Sequence, residues 1–251
     1  DTAVILYTSG TTGIPKGTLI TRRAILNVTL FCDKYAHMHS KNVCSFYTVS
    51  TFDMHVMGYY PPLVVGASVD IVPDNIRLDI NRLVEHFNKT HTTHITLPTK
   101  VAKMLIETKL PVTITDMLVG GDQLGEVSIP SGLNLCDGYG PTESLAYISG
   151  IEVKNKTHTS SIGYPSDNIK AYILDKEHRQ VPFGAMGELY LSGYQLAKGY
   201  LNRDKENKEA FFLNPFSKEK GYERMYKTGD IVRYLPDGTL GFIGRVDSQV
   251  K

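Results

Sequence analysis

The chain has 251 residues, a formal net charge of +1 and 41% hydrophobic residues, and these values suit a globular protein with a sizeable core. Its 27 basic and 26 acidic residues give no electrostatic basis for binding nucleic acid or an anionic membrane. Apolar runs are interrupted by proline and glycine, so no membrane-spanning segment is predicted and a cytoplasmic location is expected. Cys32, Cys44 and Cys136 lack metal-site spacing and are expected to be reduced structural thiols.

The first notable segment, residues 7–18, reads "YTSGTTGIPKGT". It follows the apolar run "AVIL", which predicts a buried strand, and precedes a segment that is compatible with an amphipathic helix. Glycines, hydroxyls and Lys16 suit a loop whose backbone N–H groups bind phosphate. The spacing is not that of a P-loop, because counting from Gly10 places Pro15 where the second glycine belongs. A glycine-rich surface linker is the alternative.

The first half of the chain alternates short apolar runs with helix-compatible segments. This alternation predicts βαβ units and a largely parallel sheet flanked by helices. The expected strands are "AVILYT", "VCSFYTV", "ASVDIV", "THITL" and "TDMLVGG", and the expected helices are 22–37, 53–60, 78–89 and 99–108.

From about residue 161 the chain changes to short β-branched and aromatic runs separated by turns such as "LPDGT". This sequence pattern predicts an antiparallel, barrel-like sheet with one short helix near 204–212. The two predicted subdomains are therefore 1–160, an α/β core, and 161–251, which is rich in β-strands.

Three polar loops follow predicted strands: "YTSGTTG", "GGDQL" at 120–124 and "DGYGPTES" at 137–144. Ligands of parallel sheets bind beyond the carboxyl ends of the strands, so these loops are expected at one ligand-binding edge.

Seven segments occur in the order and spacing of adenylate-forming enzymes, and the chain most resembles the adenylation domains of nonribosomal peptide synthetases. The segments are "YTSGTTGIPKG", "FDMH", "GGDQL", "DGYGPTES", "GELYLSGYQLAKGYLN", "YKTGD" and "GRVDSQVK". The resemblance covers nearly the whole chain. It implies part of the large N-terminal domain of this superfamily, ATP and Mg²⁺ as cofactors, and activation of an amino acid as its adenylate. The acyl group would then be loaded onto the phosphopantetheine thiol of a peptidyl carrier protein within a multimodular synthetase.

The resemblance also implies roles for individual residues. The loop over the β- and γ-phosphates would comprise Thr8, Ser9, Gly10, Thr11, Thr12, Gly13 and Lys16. The segment against adenine and the α-phosphate would comprise Gly138, Tyr139, Gly140, Pro141, Thr142 and Glu143. Within it Tyr139 would stack on the base, Thr142 would touch the phosphate and Glu143 would hold Mg²⁺. Asp230 would bind the ribose hydroxyls, Arg245 would contact ribose and phosphate, and Asp247 would be the hinge.

On the substrate side, the resemblance implies that Asp53 binds the α-ammonium group of an amino acid. From local sequence alone, Asp53 is equally well explained as a helix N-cap. The implied side-chain pocket is lined by Met54, Met57, Thr96, Leu118, Gly120, Gly138, Ala146 and Tyr147. Because this lining has no charge besides Asp53, a neutral and mainly apolar substrate side chain is expected.

Three residues depart from the family pattern: Arg22, His55 and Asp137 replace the usual histidine, serine and asparagine. By the same resemblance, the chain is expected to be a fragment that lacks the N-terminal part and the C-terminal lid, and to be weakly active or inactive by itself. Two other functions remain open: an acyl- or aryl-CoA ligase of the same superfamily, and a nucleotide-binding fragment without activity.

Overall fold

The computed structural model describes residues 1–8, 14–154 and 160–246. These residues form fourteen strands and five α-helices. In chain order, the strands are β1 (Thr2–Thr8), β2 (Lys16–Thr21), β3 (Val43–Phe46), β4 (Ser68–Ile71), β5 (His94–Pro98), β6 (Asp116–Gly120), β7 (Asn134–Tyr139), β8 (Ser149–Glu152), β9 (Tyr164–Pro165), β10 (Ile169–Leu174), β11 (Gly187–Gly193), β12 (Phe211–Leu213), β13 (Arg224–Tyr234) and β14 (Leu240–Arg245). The helices are α1 (Arg22–Ala36), α2 (His55–Val64), α3 (Ile80–Thr90), α4 (Thr99–Thr108) and α5 (Asp204–Ala210).

The chain divides into two compact units that are not continuous in sequence. Unit 1 comprises Asp1–Val28, Tyr139–Gly150 and Ser160–Lys251, and unit 2 comprises Thr29–Gly138 and Ile151–Thr159. The subdomains 1–160 and 161–251 that the sequence suggests stay a prediction.

Unit 2 contains a parallel sheet in the order β4-β3-β5-β6-β7. One face of this sheet packs against α3 and α4 through a core that includes Leu83, Phe87, Leu97, Leu105 and Val119. The helix α2 contacts β3, β4 and β5. The expected parallel sheet flanked by helices is therefore confirmed.

Local signals explain where the helices of unit 2 begin and end. The Asp79 carboxylate accepts a hydrogen bond from the Arg82 backbone N–H at 3.1 Å, which caps α3. The same helix ends at His91, which adopts a left-handed conformation with φ of 53°.

Unit 1 contains two antiparallel sheets and the β8–β9 pair. The larger sheet has the order β10-β11-β13-β12, and β14 pairs with β13 beyond the segment that pairs with β12. The short helix α5 precedes β12. The expected antiparallel second half with one short helix is confirmed.

The first strand differs from the sequence-based expectation. It was expected to be a buried strand leading through the glycine-rich loop into a helix, but β1 pairs with β2 in an antiparallel two-stranded sheet. Ile5 and Tyr7 of β1 are 43% and 62% exposed. The helix begins only at Arg22, where the Thr21 hydroxyl accepts a hydrogen bond from the Ala24 backbone N–H at 3.0 Å. The strand that precedes the glycine-rich loop is thus not a strand of the parallel sheet.

No helix within the described ranges is both long enough and apolar enough to cross a membrane. The three cysteines are free and buried, as expected. Burial raises the pKa of the Cys44 thiol to about 12, so this thiol is unreactive near neutral pH.

Candidate functional site

Unit 1 holds a buried carboxylate paired with an arginine. Asp230 on β13 lies opposite Arg245 on β14 in the strand register, and Arg245 Nη1 donates a hydrogen bond to Asp230 Oδ1 at 2.7 Å. The Asp230 side chain is fully buried and that of Arg245 is 13% exposed. A buried carboxylate is an acceptor that suits recognition of hydroxyl groups.

The turn before Asp230 is fixed by hydrogen bonds. The Thr228 hydroxyl donates to the Leu189 carbonyl at 2.8 Å and accepts from the Asp230 backbone N–H at 3.0 Å. Gly229 has φ of +75°, and a Cβ there would lie 2.9 Å from Arg245 Nη2. The "TGD" sequence therefore sets the carboxylate position through its backbone.

Tyr139, the predicted adenine-stacking residue, donates its hydroxyl hydrogen to Asp230 Oδ2. Burial and the adjacent Asp230 charge raise the pKa of Tyr139 well above its usual value, so the hydroxyl stays protonated. The next residue, Gly140, has no room for a side chain, since a Cβ would lie 1.4 Å from the Ala146 carbonyl oxygen. The structure thus brings three predicted nucleotide contacts together: Tyr139, Asp230 and Arg245.

Glu143 lies in a 3₁₀ turn, Thr142–Ser144, directly after Pro141. It is 8% exposed, and its Oε1 accepts a hydrogen bond from the Tyr200 hydroxyl at 2.6 Å. Burial and the Glu143 charge raise the pKa of Tyr200, which keeps its hydroxyl a donor. Burial and the Glu143 charge also raise the pKa of the neighbouring Tyr226 well above its usual value.

The loop after Glu143 is held by one buried amide. Gln195 Nε2 lies within hydrogen-bond distance of the carbonyl oxygens of Ser144, Leu145 and Tyr147 at 2.8, 2.9 and 2.8 Å. Its Oε1 accepts from Asn27 Nδ2 at 2.9 Å. Leu145 and Ala146 have positive φ, a strained conformation for these residues, and the amide compensates for that strain.

Lys16 is the first residue of β2 and pairs with Thr8, the last residue of β1. Its Nζ lies 4.4 Å from the centroid of the Tyr200 ring. The buried Thr8 hydroxyl has no hydrogen-bond partner among the residues that the structure describes. Thr8, which is predicted to donate a hydrogen bond to phosphate, and Lys16, which is predicted to bind phosphate, therefore lie opposite each other in the register of β1 and β2. Ser9, Gly10, Thr11, Thr12 and Gly13 lie outside the described residues, as does Asp247.

The residues of unit 1 fit a nucleotide with its metal. No group of three or more histidine, cysteine or acidic side chains in the described part of the chain could by itself hold a metal. Mg²⁺ is commonly bound by one or two carboxylates together with substrate phosphates, and Glu143 supplies such a carboxylate. The buried hydroxyl of Thr8 and the buried carboxylate of Asp230 are suitable partners for phosphate and ribose.

Unit 2 contains the residue predicted to bind an ammonium group. Asp53 is 7% exposed and precedes α2, whose N-cap residue is Met54. The alternative assignment of Asp53 as the N-cap is therefore wrong. Met54 and Met57 are 3% and 0% exposed, and Met57 Sδ lies 3.4 Å from Cys32 Sγ.

Four further predicted pocket residues share one face of the parallel sheet. Thr96 pairs with Leu118, and Gly120 pairs with Gly138. Because side chains alternate along a strand, these four positions lie on the face opposite to Leu97 and Val119 of the core. The last two predicted lining residues, Ala146 and Tyr147, belong to unit 1, and both are buried.

The three departures from the family pattern occupy different environments. Arg22 is exposed at the start of α1. The His55 ring packs edge-on to Phe46 with centroids 6.4 Å apart, and its Nδ1 lies 2.8 Å from the Phe52 carbonyl oxygen. Asp137 lies on β7, where burial raises the pKa of its carboxyl to about 7.

Three residues with clear roles in this geometry were not among those predicted: Gln195, Tyr200 and Tyr226. All three lie within quoted motifs, "GYQLAKGYLN" and "YKTGD", but nothing in the local sequence pairs them with Glu143. Tyr200 and Glu143 are 57 positions apart, so only the fold brings them together.

A buried carboxylate–arginine pair, a lysine beside a glycine-rich loop and a glutamate suited to Mg²⁺ are features of nucleotide-binding enzymes. Residues 1–201 match the sequence profile of AMP-binding enzymes. The chain belongs to this family.

Three curated relatives extend the comparison. The chain is 36% identical over 251 residues to bacitracin synthase 1 of Bacillus licheniformis, covering 100% of the chain and 5% of that protein. It is 35% identical to malpinin synthetase of Mortierella alpina, covering 99% of the chain and 3% of that protein. It is 34% identical to surfactin synthase subunit 2 of Bacillus subtilis (strain 168), covering 99% of the chain and 7% of that protein. The chain thus corresponds to a small part of much longer proteins.

Proposed function

We propose that this chain is the nucleotide- and amino-acid-binding part of an adenylation domain of a nonribosomal peptide synthetase. In this proposal, an amino acid and ATP form an aminoacyl-adenylate and pyrophosphate. The acyl group then passes to the phosphopantetheine thiol of a peptidyl carrier protein in the same assembly, with release of AMP. The observation that carries the proposal is the arrangement within unit 1 of Asp230, Arg245, Tyr139, Glu143 and Lys16. Membership of the AMP-binding family and relatives that are named as synthases support it.

On the nucleotide side, Asp230 accepts hydrogen bonds from the ribose hydroxyls while Arg245 holds its carboxylate in place. The Tyr139 ring supports the adenine base, and Gly140 lets the Ala146 backbone approach closely, which fixes the loop that carries Thr142 and Glu143. Lys16, Thr8 and Thr142 contact the phosphates. Glu143 is the carboxylate for Mg²⁺, which when bound screens the phosphate charge during displacement of pyrophosphate.

On the amino-acid side, the Asp53 carboxylate binds the α-ammonium group. A carboxylate about 4 Å from an ammonium is worth about 4 kcal/mol at an effective dielectric constant of about 20. That preference separates an amino acid from a plain carboxylic acid, the substrate class of an acyl- or aryl-CoA ligase. The burial of Asp53 next to Met54 supports the amino-acid assignment, since a carboxylate attracts an ammonium more strongly away from water than at the surface.

The side-chain pocket proposed for unit 2 is neutral apart from Asp53. Met57 and Leu118 are apolar and fully buried, and Thr96 adds one hydroxyl. A charged substrate side chain would be buried here without a partner, which costs several kcal/mol. We therefore propose a neutral, mainly apolar amino acid of medium to large size as substrate.

The ribose assignment is tested by calorimetric titration of AMP into the wild-type chain and Asp230→Asn. The amide keeps the shape of the carboxylate but removes a charge-assisted acceptor, so AMP affinity should fall at least tenfold. Asp204→Asn, an exposed position of the same unit, is the matched control and should bind AMP normally. Equal affinity of Asp230→Asn and the wild type would reject the ribose assignment.

The substrate class is tested in the longer protein by amino-acid-dependent pyrophosphate exchange across the twenty amino acids. Exchange should be strongest with a neutral apolar amino acid. In Asp53→Ala, the preference for that amino acid over its deaminated analogue should fall by at least tenfold. Strongest exchange with a charged amino acid would contradict the neutral, apolar side-chain pocket. An unaltered preference in Asp53→Ala would contradict the binding of the α-ammonium group by Asp53.

A further inference from the structure

Tyr200 connects two residues of the proposed nucleotide site although it belongs to neither of their motifs. Its hydroxyl donates to Glu143 Oε1 at 2.6 Å, and its ring faces Lys16 Nζ at 4.4 Å from the centroid. The side chain is 3% exposed, so both contacts are made away from solvent. One side chain thus touches the carboxylate proposed for Mg²⁺ and the lysine proposed for phosphate.

The backbone of Tyr200 is fixed on both sides. Its N–H donates to Asn207 Oδ1 at 2.6 Å, and Asn207 Nδ2 donates to its carbonyl at 2.8 Å. The strand β2 pairs with this segment through a bridge between Thr18 and Tyr200. Gly199 is required for this fit, because its φ is +136° and a Cβ would lie 2.5 Å from Asn207 Oδ1.

The ring is also held by an aromatic neighbour. Phe211, at the start of β12, meets the Tyr200 ring edge-on with centroids 5.5 Å apart. A hydroxyl on a ring that is fixed by backbone bonds, a strand and an aromatic contact cannot follow a mobile carboxylate. It sets the position of that carboxylate instead.

We propose that Tyr200 is a positioning residue that orients the Glu143 carboxylate for Mg²⁺ and the Lys16 ammonium for phosphate. This inference rests on the function proposed above. The Tyr200 hydroxyl engages Oε1 and so directs the remaining lone pairs of Glu143 toward the metal. Mg²⁺ requires near-ideal octahedral geometry, so its affinity is sensitive to the orientation of the protein carboxylate that binds it.

The variant Tyr200→Phe separates the two roles, since it removes the hydroxyl and keeps the ring beneath Lys16. A matched control is Tyr164→Phe, which removes a Tyr hydroxyl that donates to the Asp237 carbonyl at 3.0 Å elsewhere in unit 1. Calorimetry measures ATP affinity of the wild-type chain and both variants over a series of Mg²⁺ concentrations, and AMP affinity in EDTA. Thermal unfolding measures stability in parallel.

Tyr200→Phe is expected to bind AMP in EDTA like the wild type, because the ribose and base contacts are unchanged. It is expected to need 10- to 100-fold more Mg²⁺ for half of the metal-dependent gain in ATP affinity, as for other partners of metal ligands. Tyr164→Phe should need no more Mg²⁺ than the wild type. Tyr200→Leu, which also removes the ring, should in addition weaken ATP binding in EDTA, since Lys16 loses its support.

The same Mg²⁺ requirement in Tyr200→Phe and the wild type would overturn the positioning role while leaving the proposed function intact. Failure of the wild type to bind AMP or ATP would reject the proposed function, and this inference with it. If Tyr200→Phe does not fold, Tyr226→Phe gives a second comparison, because the Tyr226 side chain is buried and interacts electrostatically with both Glu143 and Tyr200. An unchanged Mg²⁺ requirement in Tyr226→Phe would then count against the proposal.

Discussion

The Tyr139 hydroxyl donates a hydrogen bond to the Asp230 carboxylate. Two residues that are proposed to contact different parts of a nucleotide, the base and the ribose, are thus hydrogen-bonded to each other. The Asp230 side chain is fully buried, and its two oxygens accept hydrogen bonds from Tyr139 and Arg245. A ribose hydroxyl that reaches Asp230 must therefore replace the tyrosine hydroxyl. Nucleotide binding is then an exchange of one hydrogen bond for another, and the Tyr139 hydroxyl competes with the ligand.

The first prediction concerns this competition. Tyr139→Phe keeps the ring but removes the competing donor, so we expect AMP to bind a few-fold more tightly than to the wild type. The free protein should be less stable by about 1–3 kcal/mol, because a buried carboxylate loses one partner. Calorimetry with AMP and denaturant unfolding without ligand measure the two effects. Weaker AMP binding by tenfold or more would show that the hydroxyl contacts the nucleotide directly.

The second prediction concerns pH and Asp137. Burial raises the pKa of this carboxyl from 3.8 to about 7. The folded state therefore keeps the proton up to about pH 7, while the unfolded state releases it near pH 3.8. The free energy of unfolding thus falls as pH rises through this window, by at most about 1.4 kcal/mol per pH unit. Asp137→Asn removes the penalty, so its stability relative to the wild type should increase between pH 4.5 and pH 8.

Denaturant unfolding at pH 4.5, 6 and 8 checks this trend, and Asp122→Asn provides a contrast whose relative stability changes little over this range. The hydrogen bond from Lys100 lowers the pKa of Asp122, so its contribution to stability is present above pH 3.8 and lost below. Because pH 4.5, 6 and 8 all lie above pH 3.8, the stability of Asp122→Asn relative to the wild type should be nearly the same at the three pH values. A relative stability of Asp137→Asn that does not change with pH would contradict the assigned pKa.

The third prediction concerns the close approach at Gly140. A Cβ there would lie 1.4 Å from the Ala146 carbonyl oxygen, so Gly140→Ala must displace the loop that carries Glu143. We expect a loss of about 1–3 kcal/mol or more in stability, as for other overpacked sites, together with loss of the Mg²⁺-dependent gain in ATP affinity. Gly244→Ala is the matched control, since nothing lies within 4 Å of its Cβ position. Equal melting temperatures of the two variants would contradict this geometry.

The fourth prediction concerns the buried amide of Gln195. Gln195→Glu has nearly the same size but replaces the Nε2 donor with an oxygen that faces three carbonyl groups. Because these carbonyls are then left unsatisfied beside a buried carboxyl, we expect a loss of about 3 kcal/mol or more. Denaturant unfolding measures this loss. Gln180→Glu, at an exposed position, should change stability by less than about 0.5 kcal/mol.

The sequence predicted local elements well and long-range pairings poorly. The expected helix 99–108 has those bounds in the structure, and 78–89 corresponds to Ile80–Thr90. Hydrophobic periodicity and capping residues determine such elements locally. The strand Lys16–Thr21 was missed because its pairing with β1 depends on a contact across the glycine-rich loop.

The same contrast between local features and long-range pairings holds for the candidate site. Motif resemblance named Asp230, Arg245, Tyr139 and Glu143, and the structure brings the first three of these into contact. The motif resemblance gave no indication that the Tyr200 hydroxyl would donate a hydrogen bond to Glu143 or that the Tyr139 hydroxyl would donate one to Asp230. These pairings depend on side-chain orientation in the folded chain, which spacing in the sequence does not encode.

The discontinuity of unit 1 has a consequence for synthesis on the ribosome. Residues 29–138 of unit 2 are contiguous and can pack as soon as they emerge, because their βαβ contacts are close in sequence. Residues 1–28 emerge earlier, yet Lys16 pairs in space with Tyr200, and Asn27 bonds to Gln195. The contacts of β2 and α1 with Tyr200 and Gln195 therefore form only after more than 160 further residues have been synthesised, which exposes this part of unit 1 to misassociation and to chaperones.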